Sequence, residues 1–287
     1  GQTNPPPHGW PAWNWSFKGF KLGADGLPVI MSILNVTPDS FSDGGKCTTL
    51  ADAVAAALRQ RDQGAAIIDI GGESTRPGSL PVNAAEEAAR VVPVVEALAR
   101  EKDLIISVDT RKSEVARLAL QAGAHIINDV TALEDPQMAQ VVSQAGAGLA
   151  LMHIQGEPGT MQDNPQYHDV KTQVAAHLRD RMQLAIAAGV NPQAIALDPG
   201  IGFGKTLAHN MALTARLDAL VDLAPPPSER PAIQRVVKPE EPKFSGVVFK
   251  IQANMDPAHR DRIAFVRVAS GHFERGMKLK VVRSGKD

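Results

Sequence analysis

Cysteine, tyrosine and long apolar runs are scarce or absent in this 287-residue chain. The single cysteine, Cys47, excludes an internal disulfide and is typical of a reducing compartment, so we expect a cytoplasmic protein. No run approaches the roughly 18 apolar residues of a membrane span. The Pro- and Trp-rich residues 1–15 lack the pattern of a signal peptide, so we expect no membrane partner.

Composition and charge narrow the class of protein and its candidate partners. The 44% apolar and 21% charged residues are typical of a globular protein and exclude disorder, collagen and coiled coil. Residues 1–220 carry 17 Lys and Arg against 23 Asp and Glu, whereas residues 221–287 carry 13 against 8. The basic tail could contact RNA or the ribosome, although solvated strand faces explain the same charges.

A short apolar run followed by a polar residue recurs between residues 29 and 198. The runs are 29–34, 65–70, 104–108, 125–127, 148–152 and 194–197. Amphipathic segments separate them, and Gly64, Gly123, Gly146 and Gly189 stand where helices would end. Runs that are apolar on both faces and alternate with helices predict a parallel α/β fold.

The sequence changes character after residue 220. The Pro-rich stretch that follows predicts an exposed linker. The runs 247–253, 263–268 and 277–283 then alternate apolar residues with Lys, Arg or Gln, which predicts antiparallel strands. We therefore expect four parts: an irregular N-terminus (1–27), an α/β unit (28–220), a linker (221–242) and a small β segment (243–287).

Each apolar run ends at a residue that can ionise or hydrogen-bond. These residues are Asn35, the turn 71–73, Asp109, Asn128, His153 and Asp198. Ligands of parallel α/β folds bind at the carboxyl ends of the strands. Carboxylate and carboxamide oxygens there suit the paired N–H donors of a planar, nitrogen-rich heterocycle. Taken alone, each residue could instead cap a helix or close a turn, and we expect neutral packing for His153.

The loops after the strands add further candidates. Residues 37–45 form a long, Gly-containing loop of the kind that closes over a substrate. Residues 200–206 read GIGFGKT, but Pro199 stands where a P-loop requires glycine. The backbone N–H groups of this segment and Lys205 could still bind an anion. No spacing of His, Cys and acidic residues resembles a zinc site.

The strand-end segments resemble the dihydropteroate synthases, which join 4-aminobenzoate to 7,8-dihydropterin-6-ylmethyl diphosphate in folate biosynthesis. The matching segments are ILNVTPDSFSDGG (33–45), GGESTRPG (71–78), SVDT (107–110), INDV (127–130), LMH (151–153) and LDPGIGFGKT (197–206). The resemblance covers residues 28–218. It implies a TIM barrel, a transferase that sulfonamides target, and a possible homodimer.

The resemblance also implies roles for individual residues. The pterin would be bound by Asp109, Asn128, Met152, Asp198, Gly202, Phe203 and Lys205. The aminobenzoate would contact Thr75, Arg76 and Pro77, and Asn35 would face Mg²⁺ and the pyrophosphate. The catalytic residues would be Asp39, Phe41, Asp43 and Lys205. Loss of pyrophosphate would leave a pterin-methyl cation that the arylamine captures.

The chain supplies motifs for six of the eight strands of a TIM barrel. The Ser-Arg-Lys and Arg-x-His motifs expected at strands seven and eight do not occur after Thr206. We therefore expect a barrel truncated to about six strands and slow turnover, because several groups that stabilise charge would be missing. Unpaired strand edges would promote association.

The tail has a resemblance of its own. FSGVVFKIQANMDP (244–257), HRDR (259–262) and GMKL (276–279) resemble the second domain of bacterial peptide chain release factor three. This resemblance implies a chimera joined near residues 217–220. Two alternatives to a synthase therefore stay open: a non-catalytic chimera with a pterin-binding remnant and a translation-factor surface, and a pterin-binding methyltransferase barrel.

Overall fold

The structure is a computed structural model. It describes residues 15–22, 29–37, 49–74, 81–101, 103–157 and 160–215, and the backbone of the strands at 230–231, 236–237, 245–253 and 262–270. The described residues up to 215 belong to one unit, and the strands after residue 229 belong to another.

The first described element is a short hairpin. Strands β1 (Trp15–Phe17) and β2 (Phe20–Leu22) are antiparallel. Lys18 and Gly19 join them with φ of 42° and 84°, the left-handed backbone that two-residue hairpin turns use. The prediction of an irregular N-terminus was wrong for these residues, because strands of three residues are too short to show a periodic pattern.

Six parallel strands form the sheet of the larger unit, paired in chain order. They are β3 (Met31–Asn35), β4 (Ile67–Gly71), β5 (Ile105–Asp109), β6 (Ile126–Asp129), β7 (Gly148–Met152) and β8 (Ile195–Asp198). Each lies within or next to a predicted apolar run, so the predicted α/β fold is confirmed. In the described part of the chain, β3 and β8 are the edges of this sheet. The expected association through these edges stays a prediction.

Helices connect the strands. They are α1 (Leu50–Asp62), α2 (Ala84–Leu98), α3 (Ser113–Ala122), α4 (Met138–Ala145), α5 (Val170–Ala187) and α6 (Leu207–Ala215). Thr49 begins α1 with a capping box, in which its hydroxyl accepts from the Asp52 N–H and the Asp52 carboxylate accepts from the Thr49 N–H. The four glycines predicted at helix ends all have positive φ, between 59° and 116°. None of the helices among the described residues is long and apolar enough to span a membrane.

Alternate residues of each strand face opposite layers. Ile68, Ile70 and Ile106 are fully buried on one face, in a cluster with the helices. On the other face, Ile67, Ile105 and Ile126 pack with Phe17 and Ala194. The hairpin thus covers the amino-terminal end of this second face, where Trp15 Nε1 donates to the Ala194 carbonyl at 2.8 Å. The polar residues nearer the strand ends lie on the same face.

The smaller unit contains two antiparallel pairs. Strand β9 (Arg230–Pro231) pairs with β10 (Val236–Val237), and β11 (Ser245–Ala253) pairs with β12 (Arg262–Ser270). Two of the three predicted tail strands are therefore confirmed, whereas 277–283 lies outside the described residues. The predicted linker includes β9 and β10, a pairing too short to be visible as alternation.

Candidate active site

The predicted strand-end residues share one edge of the sheet. Asn35, Gly71, Asp109 and Asn128 are register partners in a row across β3, β4, β5 and β6. Asn128 continues the row to Ala150 of β7. Two residues further along, Met152 pairs with Asp198 of β8. The expected convergence is therefore present in the structure.

Gly71 leaves the space between two of these side chains open. A Cβ at this position would lie 3.2 Å from Asn35 Oδ1 and 3.8 Å from Asp109 Oδ2. The absence of a side chain therefore keeps a gap between an amide and a carboxylate at the strand ends. The neighbouring Gly72 packs against α2 instead, because its Cβ would lie 2.7 Å from Val91 Cγ2.

Asp109 presents a carboxylate that no described residue hydrogen-bonds. Burial raises its pKa well above the ordinary value, and the carboxylates of Asp69, Glu87, Asp129 and Glu73 raise it further. An acidic group among four others is short of positive charge and of donors. Its oxygens are therefore suited to accept from a ligand that brings N–H groups.

Asp69 contacts the site and was missed by the sequence analysis. Its side chain is 3% exposed, and its Oδ2 accepts from Asn128 Nδ2 at 2.9 Å. Burial raises the pKa of Asp69, while the Asn128 amide and the nearby Ser107 hydroxyl act to lower it. By distance and angle, Ser107 Oγ and Asp69 Oδ1 are both buried without a hydrogen-bond partner in the described structure. The one sequence signal that could have identified Asp69 is that it is an acidic residue within the apolar run 65–70.

Asp198 uses one carboxylate oxygen to shape the loop that follows it. Its Oδ1 accepts from the Gly200 N–H at 2.7 Å, which leaves Oδ2 without a hydrogen bond from the described residues. Gly200 has φ of 66°, and a Cβ there would lie 1.9 Å from the His153 carbonyl oxygen. The loop therefore lies directly against the end of β7.

Lys205 anchors this loop from inside. Its ammonium is buried and donates to the carbonyl oxygens of His153, Gly200 and Phe203 at 3.1, 3.0 and 2.8 Å. Nδ1 of His153 is a fourth neighbour at 3.1 Å. Burial and then the charge of Lys205 lower the pKa of His153 to about 3, which agrees with the expected neutral packing role. The geometry favours an anchoring role for Lys205 over the predicted contact with substrate.

The backbone of the loop is also occupied, which contradicts the expected anion site. The Gly202 N–H donates to Asn210 Oδ1 at 3.0 Å, and the Phe203 N–H donates to the Gly200 carbonyl at 3.0 Å. The Gly202 carbonyl accepts from Gln162 Nε2 at 2.8 Å. The N–H groups of Gly202 and Phe203 are therefore not available to an anion. The half-buried Phe203 ring remains a candidate contact for a flat ligand.

Glu73 precedes the segment that contains Thr75, Arg76 and Pro77, and it contacts Val82 on the other side of that segment. Its Oε1 accepts from the Val82 N–H at 3.4 Å and from Arg111 at 3.3 Å, and its Oε2 pairs with Lys112. Lys112 also pairs with the fully buried Glu87 of α2. Although burial opposes it, the Lys112 charge lowers the pKa of Glu73 below its ordinary value. This ion-pair network was not anticipated from the sequence.

Several predicted site residues lie outside the described residues. They are Asp39, Phe41, Asp43, Thr75, Arg76 and Pro77. Asn35 is described and exposed at the end of β3. Within the described part of the chain, no group of three or more His, Cys, Asp or Glu side chains could hold a metal ion.

Comparison with known proteins identifies this arrangement. The family of pterin binding enzymes matches residues 31–265. The dihydropteroate synthase of Escherichia coli K12 is 50% identical over 190 residues, which are 66% of this chain and 67% of that relative. The crystal structure of the Yersinia pestis dihydropteroate synthase with a sulfonamide drug complex has a TM-score of 0.69 and 46% identity, covering 72% of this chain and 75% of that chain. The Xanthomonas albilineans enzyme with 4-aminobenzoic acid has a TM-score of 0.67 and 45% identity, covering 74% and 76%.

The chain therefore belongs to the pterin binding enzymes and, within them, to the dihydropteroate synthases. This confirms the resemblance found in the α/β unit, and with it the assignment to folate biosynthesis and to the barrel type of α/β fold. The family match continues to residue 265, beyond the junction expected near 217–220. The resemblance of the tail to release factor three stays a prediction.

Proposed function

We propose that this chain binds a dihydropterin through the acceptors at its strand ends and joins it to 4-aminobenzoate. In the reaction, the bond between the pterin methylene carbon and the diphosphate oxygen breaks, and the diphosphate leaves with the electron pair. The aromatic amine then forms a C–N bond to the methylene carbon and loses a proton. The products are 7,8-dihydropteroate and pyrophosphate.

One observation carries the pterin assignment. Asp109, Asn128 Oδ1 and Asp198 Oδ2 are acceptors that no described residue hydrogen-bonds, and they stand at the ends of three strands of one sheet. A pterin offers an exocyclic amino group and ring N–H groups, so its polar edge is rich in donors. All three residues are partly exposed, so their free oxygens can be reached by such a ligand and can accept from it. The buried Met152, next to Asp198, supplies an apolar contact for the ring.

In this proposal, Lys205 has a structural role. Its ammonium holds the loop 200–204 against the end of β7, so that Asp198 and Phe203 keep their places. Gly202 helps through its two backbone hydrogen bonds. The predicted roles of Gly202 and Lys205 in binding pterin directly are replaced here by a role in shaping the pterin site.

Asn35 fits a magnesium site that the substrate completes. Its exposed amide oxygen is a hard ligand of the kind that Mg²⁺ prefers. Mg²⁺ usually keeps several waters and takes only one or two protein ligands beside substrate phosphates, so a single side chain is sufficient. When bound, the ion would neutralise charge on the departing diphosphate. Asp39, Phe41 and Asp43 would close over this region.

We assign the binding of 4-aminobenzoate to the segment that contains Thr75, Arg76 and Pro77. The guanidinium of Arg76 suits the carboxylate of 4-aminobenzoate. Glu73 supports the proposal, because it ties the start of this loop to Val82 at its end. The Xanthomonas albilineans relative, solved with 4-aminobenzoic acid, shows that a synthase of this family accepts that ligand.

A coupled assay of pyrophosphate release tests the reaction. We expect release that depends on both 4-aminobenzoate and the pterin diphosphate, at a rate well below that of the intact Escherichia coli relative. Release at the same rate without 4-aminobenzoate would refute the condensation. A methyltransferase would instead bind methylfolate more tightly than the pterin diphosphate, which a parallel titration compares.

The assembly and the C-terminal tail have separate proposals. The exposed apolar side chains of Leu184 in α5 and of Leu207 and Met211 in α6 support a homodimer, because exposed apolar surface favours association. The proposed release-factor surface, with RNA or the ribosome as partner, rests on resemblance and on the basic charge of the tail. Sequencing independent DNA across codons 210–230 tests the chimera, and a frameshift there would show an assembly error.

A further inference from the structure

We infer that Asp69 is a positioning residue that fixes the side-chain amide of Asn128 for pterin binding, an inference that rests on the proposed function. Asp69 lies on β4, two residues before the strand ends, and Asn128 lies on β6. The hydrogen bond from Asn128 Nδ2 to Asp69 Oδ2, 2.9 Å long, passes over the intervening strand β5. It joins two strands that are not neighbours in the sheet.

The chemistry of the contact determines which way the amide faces. A primary amide has an N–H₂ end that donates and an oxygen end that accepts. Oδ2 of Asp69 accepts, so a flipped amide would place two acceptors against each other. Nδ2 of Asn128 therefore faces Asp69. Asn128 Oδ1 therefore faces away from Asp69 and is kept available for a ligand.

Stability alone does not account for an acid at this position. Asp69 is 3% exposed and lies two residues along β4 from the apolar layer of Ile67. Burying a carboxyl group with incomplete hydrogen bonding is unfavourable, and an apolar residue of similar size is often equal or better. The contact with Asn128, at 2.9 Å, gives an acid a role here that an apolar residue could not have.

A double-mutant cycle separates positioning from a general structural role. The variants are Asp69→Leu, Asp69→Asn, Asn128→Ala and the double variant Asp69→Leu/Asn128→Ala, each titrated calorimetrically with 6-hydroxymethyl-7,8-dihydropterin. We expect Asp69→Leu to weaken binding roughly tenfold and Asp69→Asn, which keeps an acceptor oxygen, to weaken it less than about threefold. In the Asn128→Ala background, Asp69→Leu should have no further effect.

Asp129→Asn is the matched control. Asp129 is a fully buried aspartate next to Asn128, but its carboxylate accepts from Thr131 and Leu133 and holds a turn. We expect this variant to lower the melting temperature without changing the affinity for the pterin. Equal loss of affinity in Asp69→Leu and Asp129→Asn would show that both act through general destabilisation and would overturn the inference.

A second measurement does not depend on pterin binding. The side-chain amide of ¹⁵N-labelled Asn128, assigned by its absence in Asn128→Ala, should give two well-separated N–H₂ proton signals in the free protein. Asp69→Leu should narrow that separation towards the value of a solvent-exposed amide, whereas Asp129→Asn should retain it. An unchanged Asn128 signal in a folded Asp69→Leu variant would refute the positioning role. A changed signal in a protein that binds no pterin would instead refute the proposed function alone.

Discussion

The ammonium of Lys205 lies 3.1 Å from Nδ1 of His153, inside the protein, and both side chains are buried. The lysine bonds to three backbone carbonyls from the end of β7 and from the loop after β8. The neutral imidazole beside it can accept a hydrogen bond from the ammonium. This pair therefore connects the end of β7 to the loop that follows β8.

Replacing Lys205 should therefore destabilise the fold before it affects chemistry. We expect Lys205→Met to lower the free energy of unfolding by about 3 kcal/mol, because three buried carbonyls lose their donor. The pKa of His153 should rise, since the lysine charge lowers it now, but burial keeps it below the ordinary value. Urea unfolding and NMR titration of His153 measure the two effects. Lys171→Met, at a side chain 31% exposed and 4.0 Å from Asp169, is the control with a change under about 0.5 kcal/mol.

Gly200 should tolerate no side chain. A Cβ there would lie 1.9 Å from the His153 carbonyl oxygen, whereas a Cβ at Gly146 meets nothing within 4 Å. The two glycines have similar φ, 66° and 59°, so backbone strain is matched. We expect Gly146→Ala to cost about 1 kcal/mol and Gly200→Ala at least about 3 kcal/mol. Similar melting temperatures for the two variants would show that the loop does not lie against β7.

Glu73 should make stability depend on pH in the acidic range. Its pKa is below the ordinary value of 4.5, so its stabilising contribution is complete above 4.5 and is lost as the pH falls through the lowered value. We expect Glu73→Gln to be about 1 kcal/mol less stable than the wild type at pH 7 and equal to it near pH 3. Chemical unfolding at both pH values measures the difference. Glu96→Gln, at an exposed position of α2, is the control variant.

Asp109 should show the opposite dependence on pH. Its pKa is raised, so the folded protein binds the proton more tightly than the unfolded chain, and ionisation above the ordinary value of 3.8 lowers stability. We expect Asp109→Asn to be more stable than the wild type at pH 8 by about 1 kcal/mol or more, and equal near pH 3. The same variant should bind pterin more weakly. A loss of stability at pH 8 would contradict the crowding of carboxylates at this site.

The sequence was sufficient to predict the parallel strands and the polar residues at their carboxyl ends. Apolar runs bounded by glycine locate each parallel strand, and carboxyl ends of parallel strands meet at one edge, so Asp109, Asn128 and Asp198 could be predicted together. The hairpin around Lys18 could not, because each of its strands has three residues and its stability comes from covering the apolar layer below.

Contacts between distant residues were beyond sequence reasoning. Asp69 meets Asn128 across an intervening strand, and Lys205 meets three carbonyls from two loops. Both contacts depend on sheet register and loop path, which no local pattern encodes. Lys205 follows three glycines in the sequence, a pattern that predicts an anion site. In the structure, its ammonium instead donates hydrogen bonds to backbone carbonyls.

The measurement that tests the central claim most directly is calorimetric titration of the full chain, Asp198→Asn and Arg76→Ala with 6-hydroxymethyl-7,8-dihydropterin alone. Asp198 uses Oδ1 for the Gly200 N–H, so an asparagine that keeps this bond would place its N–H₂ donors where Oδ2 now offers an acceptor to the pterin. We expect the wild type to bind, Asp198→Asn to bind roughly tenfold more weakly, and Arg76→Ala to bind as the wild type does. Equal losses in the two variants, or no binding by the wild type, would contradict a pterin site at these strand ends.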